Sequence, residues 1–209
     1  MFQVNLFGHM RVTQAAVPLF RAQGHGRIAF TSSSTAWTAL PFLSHYAASK
    51  AAVSAYADAL DVELRPLGIR CVAFECGGFP THLGQPRGDA GDAGFGAAGP
   101  AVSAYGPLFG ELVGLFATNP MGHMPGDVAK AAAGVVDVVK REGVAAGRPW
   151  SVRIALGSDG MGSARQKCQE MLIVLERWED LSKSTDRVGQ EIVANKEMFK
   201  FTTILNTEI

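Results

Sequence analysis

Tyr46 and Lys50 stand four residues apart in the run S-H-Y-A-A-S-K at residues 44–50. On a helix that spacing puts both side chains on one face. A lysine ammonium beside a phenol favours the phenolate, lowering a pKa that is about 10 when unperturbed. Such a tyrosine can exchange a proton with an alcohol or a carbonyl near neutral pH. Ser33 lies thirteen residues before Tyr46, at the end of a β-prone run, where ligand-facing residues of a parallel sheet gather. Its hydroxyl could hold a substrate oxygen next to the tyrosine. Tyr and Lys at this spacing also occur on any solvated helix face, so the pair alone is a weak signal. The strand-end serines, the interval and the apolar helix that follows give it weight.

Those residues need elements to hold them. Residues 2–23 carry Phe2, Leu6, Met10, Val12, Ala16, Leu19 and Phe20 at helical spacing, closed by Gly24 and Gly26. Residues 27–32 (R-I-A-F-T-S) form a short β-prone run ending in serines. An alanine-rich helical stretch at 44–65 stops at Pro66 and Gly68, and residues 69–75 (I-R-C-V-A-F-E) read as a strand. Further on, 126–143 reads as a helix, 151–156 as a strand and 162–183 as an amphipathic helix. The stretch 187–209 has weak periodicity and is assigned no structure. Helix and strand in turn, with short links, imply right-handed crossovers and a parallel sheet. The fold expected is therefore α/β, a Rossmann-like doubly wound parallel sheet. Three strands are visible, against about six in a sheet of this type.

Composition narrows the function. A chain of 209 residues suggests one domain with an appendage. With 19 basic and 19 acidic side chains the formal net charge is zero, which argues against a nucleic-acid partner. No apolar run reaches the roughly 20 residues of a membrane span, and residues 1–5 lack a basic signal-peptide start. Cys71, Cys76 and Cys168 show no C-x-x-C spacing, so they read as free thiols in a reducing, cytoplasmic setting. The five histidines form no metal-binding pair, and no metal is expected.

One motif is a decoy. Residues 94–99 read G-F-G-A-A-G, which fits G-x-G-x-x-G letter for letter. A dinucleotide loop needs an apolar strand before its first glycine. Here G-D-A-G-D-A precedes it, cannot form one, and would repel phosphate through two aspartates. The segment is expected to be a plain loop.

Around Ser33, Tyr46 and Lys50 the sequence resembles the short-chain dehydrogenase/reductase family, NAD(P)-dependent oxidoreductases with a Rossmann-type fold. The resemblance runs over residues 1–185, the C-terminal two-thirds of such a domain, and leaves 186–209 as a tail of unknown structure. It implies that Tyr46 is the catalytic acid/base, that Lys50 supports it and bonds the nicotinamide ribose, and that Ser33 orients the substrate oxygen. Asn5, in F-Q-V-N-L-F-G, matches the asparagine that completes a proton relay to the lysine through water. After the next strand, Gly77 and Thr81 match residues beside the nicotinamide, while Cys76 stands where the family has proline. Residues 82–118, with Phe95, Tyr105, Leu108 and Phe109, would form the variable substrate loop and helix; these side chains suggest an apolar substrate, and packing alone would also account for them. Helices 2–23 and 44–65 would make a four-helix dimer interface, implying a homo-oligomer.

The family's opening T-G-x-x-x-G-x-G turn and its N-A-G motif do not occur in this sequence. At about 30 residues per strand–helix unit, on the order of 80 to 100 N-terminal residues are expected to be absent. The sheet would then lack its N-terminal strands and glycine-rich cofactor turn. Two functions follow as expectations: an oxidoreductase interconverting an alcohol and a carbonyl with NAD or NADP, or a non-catalytic remnant that keeps the site without the cofactor platform. The choice between NAD and NADP is not legible, because the residues that sense the ribose 2′ position belong to the expected missing part.

Overall fold

The computed structural model describes residues 1–81, 99–118 and 124–187. Its centre is a three-stranded parallel sheet in the order β1 (Gly26–Ser33), β2 (Ile69–Cys76), β3 (Arg153–Leu156). A π-helical turn at Gln3–Gly8 runs into helix α1 (His9–Gln23), and α2 (Ser44–Leu64) links β1 to β2. The sequence pattern predicts these elements to within a residue or two.

Glycine sets the register of the first two strands. α1 ends on Gly24 and α2, through the 3-10 turn Arg65–Leu67, on Gly68, both left-handed with φ near 75°. A Cβ on Gly68 would lie 2.2 Å from the carbonyl oxygen of Gly24. Only glycine lets the two turns touch, and that contact starts β1 and β2 together with Gly26 opposite Ile69.

Alternation assigns the faces of the sheet. Ile28, Phe30 and Ser32 share one face with their register partners Cys71, Ala73 and Glu75. This face packs on α2 through Val53, Ala57, Leu60 and Leu64. Phe30 meets the rings of His9 and Tyr56 edge-on, with centroids 6.0 and 5.7 Å away. The opposite face, with Val72, Phe74, Ile154 and Leu156, is joined by Val135 and Val138 of a later helix. β2 is buried almost throughout, as a strand covered on both faces must be.

Beyond β2 the boundaries differ from the expected ones. Helix α3 (Gly106–Thr118) falls within the stretch read as a variable loop and helix. α4 (Val128–Lys140) is shorter than 126–143, because Asp127 caps the amides of Ala129 and Lys130 and Arg141 turns left-handed. The single helix expected at 162–183 is two: α5 (Ser158–Arg177) and α6 (Glu179–Ser184), broken where Trp178 leaves helical geometry. Residues 94–98 of the decoy motif, 82–98 of the expected substrate loop and 188–209 of the tail lie outside the described residues. Among the described residues no helix is long and apolar enough to cross a membrane.

Candidate active site

The candidate residues collect at the C-terminal ends of β1 and β2 and on the first turns of α2. Ser33 and Cys76 are register partners at the ends of their strands. α2 can lie close to the sheet here because the side chains facing it, Ser49, Ser54 and Ala57, are small and fully buried.

Lys50 is only 9% exposed, and its Nζ donates to the carbonyl of Thr31 at 2.9 Å. Two of its three N–H groups remain for a ligand. The same Nζ lies 5.7 Å from the centre of the Tyr46 ring, so the two side chains do share a face. Burial pulls the Lys50 pKa below its ordinary value, partly offset by the nearby Cys76 thiol. Burial in turn raises the pKa of Cys76, against the pull of Lys50. Ser33 is buried, and its Oγ accepts from the amide of Thr35 at 3.2 Å, capping the 3-10 turn Ser34–Ala36. That bond uses a lone pair and leaves the hydroxyl proton free.

Asn5 sits in the π-helical turn and donates from Nδ2 to Ser49 Oγ at 3.0 Å. Ser49 donates in turn to the Tyr46 carbonyl at 2.7 Å. Asn5 is thus tied to the residue beside Lys50 on α2, while its own carbonyl bonds Nδ1 of His9. Gly77 extends the β2–β3 pairing by donating to the Leu156 carbonyl at 2.8 Å. A Cβ at Gly77 would come within 2.4 Å of the Asp159 carboxylate, which accepts from the Gly78 amide. The other carboxylate oxygen of Asp159 is buried without a hydrogen bond. Thr81 is exposed at the end of its described segment.

Sequence reading overlooked the polar lattice beneath this site. Glu75, 2% exposed, accepts from Ser54 Oγ at 2.7 Å, Arg153 Nε at 2.8 Å and the indole N–H of Trp37. Ser32 Oγ lies 2.9 Å from Ser54 Oγ and 3.0 Å from the Lys50 carbonyl, so its single proton serves one of the two. The lattice therefore fixes the backbone that carries Lys50. One signal was available: an acid at the end of the apolar run Cys71–Phe74 implies a buried partner. On the open side, Phe42 holds a left-handed φ of 64° and packs its ring against Tyr105 and Phe109, at 6.1 and 5.2 Å. Such strain in a non-glycine residue persists only where its surroundings hold it.

Residues 1–91 match the family described as short chain dehydrogenase. The chain is 36% identical over 86 residues to the NADPH-dependent 1-acyldihydroxyacetone phosphate reductase of Saccharomyces cerevisiae, covering 41% of this chain and 29% of that protein. It is 37% identical over 91 residues to human 17-beta-hydroxysteroid dehydrogenase type 1, covering 40% of this chain and 27% of that protein. A solved short-chain dehydrogenase from Streptomyces avermitilis superposes with a TM-score of 0.70 at 29% identity, over 90% of this chain and 62% of that one. The chain thus spans less than a third of the length of these two curated relatives. Family match, relatives and shared fold agree: residues 1–91 match the short-chain dehydrogenase family, and the chain is similar to its members.

Proposed function

We propose that these residues serve an NAD(P)-dependent oxidoreductase that interconverts an alcohol and a carbonyl on a small apolar substrate. The observation that carries the reading is the buried Lys50, with two N–H groups to spare, beside Tyr46 and below the end of the Ser33 strand. Tyr46 Oη would give its proton to the substrate oxygen in reduction and take it back in oxidation. Lys50, positively charged, would stabilise the phenolate left behind and offer its free N–H groups to ribose hydroxyls. Ser33 would donate its hydroxyl proton to the substrate oxygen, and Asn5 would help hold the water that resupplies the proton. Gly77 and Thr81 would flank the nicotinamide ring. Phe42, Tyr105 and Phe109 pack into an apolar cluster, and this supports an apolar substrate. Apolar side chains left exposed along the first helix, among them Val12 and Leu19, support a homo-oligomer.

The residues present fit the nicotinamide half of such a cofactor, whose bound ring would supply or accept the hydride. The pyrophosphate half is different. Among the described residues, the turn Gly157-Ser158-Asp159-Gly160 after β3 commits its Asp159 carboxylate to the Gly78 amide, so it offers no support for a pyrophosphate. The alternative reading is a non-catalytic form that keeps the site without a cofactor platform.

The deciding experiment joins the chain to a T-G-x-x-x-G-x-G strand–helix unit and compares Tyr46 with Tyr46→Phe. Turnover should fall by roughly 10²- to 10⁴-fold while NAD(P)H binding survives. Activity within a few-fold of the parent would overturn the role of Tyr46. Absent turnover in the joined parent, with cofactor bound, would establish the non-catalytic reading.

A further inference from the structure

We infer that the protein binds a small, multiply phosphorylated anion at the end of the sheet opposite Tyr46. A cavity of about 1170 Å³ opens where β1 and β2 begin. Six cationic side chains line it: Arg27, Arg65, Arg70, Lys140, Arg141 and Arg148. Among the described residues, no aspartate or glutamate does. Fifteen residues drawn at this chain's composition would hold about one basic and one acidic side chain. The zero net charge of the whole chain hides this concentration.

The cations come from five separate stretches of chain, so no single local rule gathers them. Lys140 and Arg141, at the C-terminal end of α4, suit the negative end of its dipole. That argument does not reach Arg27 on β1, Arg65 after α2, or Arg148 in the loop before Trp150. Arg141 also occupies a left-handed position, φ 61°, where glycine or asparagine ordinarily ends a helix.

Their commitments differ. Arg70 is held by Asp61 in a two-bond pair and lies over the Trp150 ring, so it contributes field more than contact. Arg27 donates to the Val139 carbonyl and keeps its other N–H groups. Lys140 reaches Glu142 at 3.3 Å in an exposed pair that water and salt weaken. Arg141 and Arg148 are exposed and make no ion pair among the described residues. Like charges gathered round a concave space repel one another, and an anion inside it relieves that repulsion. Guanidinium groups match phosphate oxygens in paired N–H···O bonds, and five of the six cations are arginines. Because the cations surround a space much larger than one phosphate, a di- or triphosphate group fits better than a single one. The eight residues of β1 put this cavity about 23 Å from the Ser33 end, clear of the proposed active site.

Inorganic tripolyphosphate is the probe, titrated calorimetrically into the 209-residue chain at about 0.15 M ionic strength. Saturable one-to-one binding is expected, with the thermal midpoint rising as tripolyphosphate is added. Arg148→Ala should weaken it roughly tenfold, the loss of one charge-assisted contact, and Arg141→Ala with Arg148→Ala further still. Both side chains are exposed, so circular dichroism of the variants should match the parent. Absent saturation, equal binding by the double variant, or an equal midpoint rise from chloride at matched ionic strength would overturn the proposal.

Discussion

Helices α2 and α5 are nearly equal in length, 21 and 20 residues, and they invert the usual rule of inside and outside. α2 buries Ser49, Lys50, Ser54 and Asp61. α5 leaves Met171, Leu172, Ile173, Val174 and Leu175 between 41% and 62% exposed, and among its residues only Gly160 is buried. Partners explain the first case. Every one of those buried polar groups on α2 has a hydrogen bond to a strand, to another helix or to its own. Geometry explains the second. Five consecutive apolar residues at 100° per residue point all round the helix, and β3, from which α5 departs, is only four residues long. Burial follows what an element packs against, and residue type alone does not decide it.

The sharpest way to break this contrast is Asp61→Ala on α2. Asp61, 1% exposed, accepts from the Cys71 amide at 2.7 Å and from two nitrogens of Arg70 at 3.0 Å. Its removal strands a buried amide and a half-buried guanidinium, at a cost of about 3–5 kcal/mol. Urea unfolding of the 209-residue chain would measure it. A loss under about 1 kcal/mol would mean that α2 is held by its apolar residues alone. Ser54→Ala should come next, at about 1–2 kcal/mol, since it removes the donor to Glu75 and the link to Ser32 while Arg153 still neutralises the carboxylate. If the double variant cost less than the sum of the two single ones, Asp61 and the lattice around Glu75 would be one cooperative unit.

The same contrast marks what could be read from the sequence. Local signals were enough for α1, β1, α2 and β2: apolar spacing gave their types, and Gly24, Pro66 and Gly68 gave their ends. Tyr46 and Lys50 were legible because their relation is local, four residues on one helix. Glu75 with Trp37, Ser54 and Arg153 was not, because those partners lie 38, 21 and 78 residues away and meet only once the sheet has formed. The basic cavity was hidden for the same reason, its six cations being scattered through five stretches. The 162–183 pattern was read as one amphipathic helix, and Trp178 breaks it. No Pro or Gly stands there to announce the break.

The smallest expected effect tests the other half of the comparison. Leu172 is 61% exposed on α5, with its immediate neighbours exposed as well. An apolar side chain in water contributes little to folding, so Leu172→Lys should change the unfolding free energy by less than about 0.5 kcal/mol. Lysine is also slightly favourable within a helix, and its charge breaks the apolar run, so the variant should stay in solution at higher concentration. Paired measurements decide the matter: urea unfolding at low protein concentration, and light scattering as concentration rises. An unchanged unfolding midpoint with reduced scattering would establish that the α5 run faces solvent and drives association. A loss above about 1.5 kcal/mol at low concentration would instead mean that Leu172 is covered within the folded chain.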